Sequence, residues 1–153
     1  MKTAVFPGSF DPFTFGHLSV IQKASPLFDK IIIGIGQNST KNALLSFESR
    51  KQSIEKLFES DDSIEVRAFE GLTVDFCKAN EAGFILRGLR NPTDYQYESS
   101  IEQMNRKLAN DILTVFINCD PEYAAINSRI VREIMRNGGD VSQFVPSQID
   151  LSY

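Results

Sequence analysis

Residues 3 to 36, TAVFPGSFDPFTFGHLSVIQKASPLFDKIIIGIG, decide the fold. Both ends of this stretch, Thr3 to Phe6 and Lys30 to Gly36, are apolar runs of strand length. Between them Leu18, Ile21, Ala24 and Phe28 fall on one helical face. A strand, a helix and a second strand in such close succession predict a right-handed crossover between parallel strands.

The same alternation continues outward. Strand-length runs recur at Ile64 to Phe69, Phe84 to Arg87 and Leu113 to Asn118. The segments between and after them carry helical spacing: Ile54, Leu57 and Phe58; Leu72, Phe76 and Ala79; Tyr97, Ile101, Met104 and Leu108; Ile130, Val131 and Ile134. Ser46 precedes the second helix, Asp94 follows Pro92 before the fourth, and Gly138-Gly139 closes the fifth. The prediction is an α/β protein, a single Rossmann-like domain over residues 1–153. It has a five-stranded parallel sheet, helices on both faces, and ligands held beyond the carboxyl ends of the strands.

Length and composition agree. A chain of 153 residues supports one sizeable core, and 42% hydrophobic with 24% charged residues is ordinary globular usage. The longest apolar run, Ile31 to Ile35 with Gly36, is far short of the ~20 residues that span a bilayer. The opening MKTAVFPGSFDP lacks the apolar core of a signal peptide, so a soluble cytoplasmic protein without membrane association is expected. Sixteen basic against twenty acidic side chains give a net charge of -4, and no segment is a basic arm. Nucleic-acid binding, which needs clustered cations, is therefore disfavoured. With one histidine and two distant cysteines, Cys77 and Cys119, there is neither a CxxC pair nor a histidine-rich metal cluster. Both cysteines read as reduced, partly buried thiols. Gly34-Ile35-Gly36 sits inside a strand without the third glycine of a dinucleotide fingerprint, and reads as a place of close backbone approach. No GxxxxGK[ST] loop is present.

The loop after the first strand, VFPGSFDPFTFGHLSV from Val5 to Val20, is the most informative stretch. Pro7 and Gly8 are expected to break the strand, and Gly16 to remove bulk where the first helix begins. The free N–H groups of that helix start suit a phosphate. A lone histidine in a helix is usually a surface or core residue. Here His17 stands in the first turn beside Ser9 and a glycine-opened helix, so three donors converge where a transferring phosphoryl group would bind. Asp11 either caps the loop through nearby backbone N–H groups or orients a metal, with capping preferred.

Gly8-Ser9-Phe10-Asp11-Pro12 followed by Thr14-Phe15-Gly16-His17 resembles the [HT]xGH signature of the nucleotidyltransferase superfamily. The fuller pattern resembles the phosphopantetheine adenylyltransferase family from Val5 to about Pro146. It includes Lys41, FESR with Glu48 and Arg50, RGLR from Arg87 to Arg90, Asp94, Tyr97-Glu98, Met104-Asn105-Arg106 and INSRIVRE from Ile126 to Glu133. The resemblance implies adenylyl transfer from ATP to 4′-phosphopantetheine, with Mg²⁺ arriving on the nucleotide, hexameric assembly and feedback by coenzyme A. It implies catalytic roles for Ser9, His17 and Lys41. Its ATP site takes Ser9, Phe10, His17, Gly88, Leu89, Arg90 and Glu98, together with Tyr123, Ala124, Ala125, Ile126, Asn127, Ser128 and Arg129. Its acceptor site takes Ser9, Lys41, Thr73 and Arg87.

Two departures accompany the match. Where the family has Ile-Ser-Ser-[ST], this chain has Ile126-Asn127-Ser128-Arg129. Asn127 can cap a helix, Ser128 keeps a hydroxyl, and Arg129 brings a cation suited to phosphates. The chain stops at Tyr153, sooner than many relatives, so a trailing helix is expected to be short or missing. No activated Ser, Cys or Lys nucleophile with a base beside it is evident, which favours direct in-line attack by the acceptor's own phosphate. The alternatives are a nucleotidyltransferase with another acceptor, such as nicotinate mononucleotide, and a nucleotide-binding module without turnover.

Overall fold

The computed structural model describes residues 1–37 and 42–153. Lys41 lies outside the described residues. Five strands, β1 (Thr3–Gly8), β2 (Lys30–Gly36), β3 (Ile64–Phe69), β4 (Phe84–Leu89) and β5 (Leu113–Asn118), form one sheet. They alternate with five helices: α1 (Phe15–Ala24), α2 (Phe47–Leu57), α3 (Thr73–Ala79), α4 (Pro92–Leu108) and α5 (Ser128–Arg136). All pairings are parallel and the strand order is β3-β2-β1-β4-β5. The chain thus moves outward from β1 to β3, returns to the other side of β1, and moves outward again. The reversal between β1 and β4 is the switch point where an α/β sheet opens a crevice.

Alternation along the strands sends successive side chains to opposite layers. Ala4, Phe6, Ile31, Ile33 and Leu86 pack against Val20 and Ile21 of α1 and Ile54 of α2. Val5, Ile32 and Ile85 pack on the other face against Val74 and Cys77 of α3, with Ala109 and Ile112. Val131 and Met135 of α5 join Leu45, Val141 and Val145 in a third cluster at the sheet's carboxyl end. The expected parallel sheet with helices on both faces is what the chain builds.

Local differences have physical reasons. β1 does not break at Pro7; it continues to Gly8, paired with Gly34 and Ile35 of β2. Its ladder to β4 has already ended at Val5, so on that side the missing N–H of Pro7 removes no bond. β4 likewise runs past Arg87 to Leu89, held by β5. What approaches Gly34 is not backbone but the stacked rings of Phe69 and Phe76, 4.7 Å apart, which leave 3.0 Å for a Cβ. The cap of α4 is Asn91, whose side chain accepts from the Asp94 N–H at 2.9 Å, with Pro92 in the first turn where its lack of a donor costs nothing. Gly138, at φ 73°, ends α5 as expected, and the Gly138 and Gly139 N–H groups donate to the Met135 and Ile134 carbonyls.

Two apolar faces were misassigned. In α3 Val74 and Cys77 are buried and Phe76 packs against their cluster as expected, while Leu72 precedes the helix and, like Ala79, is exposed. α4 buries none of its residues: Tyr97, Met104 and Leu108 have the spacing of a core face but stand exposed. Helical periodicity marks an apolar stripe without saying whether this chain covers it. Both cysteines are buried outright rather than partly. No helix follows α5 among the described residues. The last residues pack back irregularly: Ile149 is buried, the Asp150 N–H donates to Ser53 Oγ, and the Tyr153 hydroxyl donates to the Met135 carbonyl.

Candidate active site

A cavity of about 820 Å³ opens at the switch point. The carboxyl end of β1 and its loop supply Ser9, Phe10 and His17, and the end of β4 supplies Arg87, Gly88 and Arg90. The far wall is Glu98 of α4 and the start of α5, Ile126 to Arg129. Leu89, Tyr123, Ala124, Ala125 and Thr73 do not line it. Leu89 is buried behind the wall, and the ring of Tyr123 stacks on Phe15 at 5.7 Å beside it. Thr73 begins α3 on the face of the sheet carrying the second core cluster.

His17 is placed by its own helix start. α1 begins after Thr14, and His17 reaches back so that the Thr14 N–H donates to its Nδ1 at 3.0 Å. A backbone N–H can only donate, so Nδ1 carries a lone pair and Nε2 carries the proton. The rings of Phe6, Phe10 and Phe13 enclose the imidazole, with centroids 5.1 to 6.2 Å away. Burial, then the positive charges of Arg90 and Arg87, lower its pKa from 6.5 to about 4. The side chain is therefore a neutral donor on the cavity wall at neutral pH.

The two arginines of RGLR face this donor, each already engaged. Arg87 makes a two-pronged contact with Glu98, Nε to Oε2 at 2.7 Å and Nη2 to Oε1, and also donates to the Pro7 carbonyl at 3.1 Å. Arg90 pairs with Asp94 through Nε at 3.0 Å and donates to the Ile126 carbonyl at 3.4 Å. The forks are held in place by these partners.

Asp11 accepts backbone N–H bonds, as its capping reading requires, though from a distant segment. Its carboxylate takes the Leu44 and Leu45 N–H groups at 2.9 and 2.8 Å and ties the segment after β2 to the β1 loop. Asn127 caps α5 by accepting from the Ile130 N–H at 2.9 Å. The Ser128 hydroxyl donates to the Pro12 carbonyl at 2.8 Å, so its proton steadies the loop. Arg129 is on the wall and exposed. Arg132, within the INSRIVRE stretch but given no site role there, also lines the cavity and donates to the Asp11 carbonyl at 2.7 Å. Its position four residues after Ser128, on the same helical face, was the available signal. Cys119 lines the cavity, and burial raises its thiol pKa above the usual value.

A sheet of this order, with a glycine-opened helix, a neutral histidine and paired arginines around its switch point, defines a nucleotidyltransferase of the Rossmann-like class. The family pattern of cytidylyltransferase-like proteins matches residues 5–134. A phosphopantetheine adenylyltransferase of Cytophaga hutchinsonii is 48% identical over 97% of this chain and 99% of its own. One from Leptospira biflexa is 51% identical over 95% of this chain and 91% of its own. The chain belongs to the phosphopantetheine adenylyltransferase family. The fold also matches a crystal structure of a bifunctional NMN adenylyltransferase/ADP ribose pyrophosphatase from Francisella tularensis. The TM-score is 0.75 at 23% identity, covering 96% of this chain and 45% of that one.

Proposed function

We propose that this enzyme, acting as one domain over residues 1–153, transfers the adenylyl group of ATP to 4′-phosphopantetheine, giving dephospho-coenzyme A and pyrophosphate. The observation that carries the reading is the neutral His17, its Nε2–H on the cavity wall and Arg87 and Arg90 beside it. The acceptor's phosphate oxygen forms a bond to the α-phosphorus in line as the bond to the β-phosphate oxygen breaks. Pyrophosphate leaves with that electron pair. The attacking phosphate is largely ionised at neutral pH, so no proton need be removed. His17 donates to the transferring group, joined by the Ser9 hydroxyl and the Phe10 N–H. Arg90 and Arg129 are suited to the β- and γ-phosphates, Arg87 and Lys41 to the acceptor phosphate, and Glu98, released from Arg87, to the nucleoside. Ile126, on the cavity wall, would frame the adenosine.

Among the described residues no group of three or more His, Cys, Asp or Glu side chains is placed to hold a metal, and Asp94 and Glu98 are each paired with an arginine. Mg²⁺ arriving on the ATP phosphates would neutralise charge on the leaving group. The uncovered apolar stripe of α4, with Tyr97, Met104 and Leu108 exposed, supports a homo-oligomer, and the family resemblance a hexamer. Coenzyme A shares the product's skeleton and would compete for the cavity as a feedback ligand. Among the described residues no helix is long and apolar enough to cross a membrane, and the free thiols of Cys77 and Cys119 suit a reducing cytoplasm. Purified protein with ATP, Mg²⁺ and a panel of acceptors, read as pyrophosphate release, tests the reading. Release with 4′-phosphopantetheine and not with nicotinate mononucleotide is expected; the reverse preference overturns it.

A further inference from the structure

The phosphate-facing loop is held from behind by side chains that take its carbonyls. Arg87 donates to Pro7, Arg50 to Ser9 at 2.5 Å, Arg132 to Asp11 at 2.7 Å and Ser128 to Pro12 at 2.8 Å. Arg87, Ser128 and Arg132 also line the cavity. Arg50 does not. It sits on α2, is only 1% exposed, donates through Nε to the Ser46 carbonyl, and lies over the Phe47 ring. A guanidinium so buried loses its hydration and needs a compensating role.

Across a trans peptide the carbonyl of one residue and the N–H of the next point in opposite directions. With the Ser9 carbonyl drawn back toward Arg50, the Phe10 N–H is turned the other way, toward the cavity that Ser9 and Phe10 line. Phe10 itself is strained: its φ is 47°, a left-handed conformation that a side chain with a Cβ adopts only where its surroundings enforce it. The ring is fixed among Phe6, Phe13 and His17, and Arg50 fixes the peptide ahead of it.

We propose that Arg50 is a positioning residue for adenylyl transfer: it aims the Phe10 N–H at the transferring phosphoryl group by holding the Ser9 carbonyl. This rests on the adenylyl-transfer reading above. Removing Arg50 therefore releases the peptide to rotate and weakens a donor of the reaction, although Arg50 itself touches no substrate.

The test compares the parent with R50M, which keeps length and apolar bulk without a donor, and R50K, which keeps one charged donor on a similar stem. For each, the melting temperature, kcat, both KM values and the response of the ¹⁵N-phenylalanine amide of Phe10 to ATP are measured. The Phe10 signal is assigned by its loss in F10L. For R50M we expect a cooperative melt, kcat lowered by about 10- to 100-fold, an ATP KM within about 3-fold of the parent, and a Phe10 amide that no longer shifts with ATP. R50K should lie between R50M and the parent in both kcat and amide shift. A folded R50M with parental kcat, or one whose Phe10 amide shifts as in the parent, overturns the proposal. So does failure of both variants to fold, which would make Arg50 a stability residue only. If the parent releases no pyrophosphate, the adenylyl-transfer reading falls, while the Phe10 response to ATP still decides whether Arg50 aims that amide.

Discussion

The Thr14 N–H donates to Nδ1 of His17 at 3.0 Å, so the residue that caps the helix chooses the tautomer of the imidazole three residues on. That bond places the one exchangeable ring proton on Nε2. Protonation of Nδ1 would replace an accepting lone pair with a second donor facing the Thr14 N–H, which adds to the cost that burial imposes on the cation.

The ring should therefore titrate late. Burial, Arg90 and Arg87 bring His17 to about 4. Its folded pKa is lower than its unfolded value near 6.5, so between those values the unfolded chain binds a proton that the folded chain does not. The stability this contributes is fully present above pH 6.5 and is lost as pH falls toward 4. As the only histidine, its ring resonances are unambiguous in a proton NMR titration. A midpoint near 4 is expected, with a urea midpoint that falls from pH 7 to pH 5 more steeply in the parent than in His17→Asn. A ring midpoint at 6.5 contradicts the assignment.

Gly88 is required by packing. A Cβ there would lie 2.7 Å from Cγ2 of Val20, where β4 passes under α1. Gly88→Ala should lower unfolding free energy by about 1 to 3 kcal/mol, the usual range for overpacking, and adding Val20→Ala should recover part of it. Urea denaturation of the two single variants and the double variant checks this; additive losses would show that the two sites do not meet.

Arg129 stands exposed on the cavity wall. Arg129→Ala should raise the ATP KM by about 5- to 10-fold, about 1 kcal/mol, with the effect shrinking as salt is added. An unchanged ATP KM at low salt would remove it from the phosphate site.

Lys41 follows β2, and its assigned partner is the acceptor phosphate. Lys41→Ala should raise the 4′-phosphopantetheine KM by well over about 10-fold while ATP affinity changes little, as for loss of a charged phosphate contact. Steady-state kinetics with each substrate varied separates the two, and equal losses count against the assignment.

Much of the fold and of the site is legible in the sequence. The β-α alternation shows in Ile31 to Ile33 because a strand buried on both faces reads as an apolar run, and the [HT]xGH stretch puts His17 at a helix start. Other features were hidden because they depend on contacts far apart in sequence. Asp11 reaches Leu44 and Leu45, Arg50 reaches Ser9, and Glu98 occupies the Arg87 fork. The exposure of Tyr97 and Met104 was equally invisible, because periodicity gives the direction of a helix face without its cover. The strand through Pro7 escaped notice because only the sheet's pairing shows that its missing N–H has no partner to lose.

The central claim is that a neutral His17 stabilises the transferring phosphoryl group by hydrogen-bond donation. Its most direct test is kcat for pyrophosphate release from ATP and 4′-phosphopantetheine in His17→Ala and His17→Asn, alongside the ATP dissociation constant. The account predicts that His17→Ala lowers kcat by about 10²- to 10³-fold, roughly 3 to 4 kcal/mol of transition-state stabilisation, with ATP affinity nearly unchanged. Turnover of His17→Ala near the parent rate, or loss of ATP binding without a further loss in kcat, would contradict it.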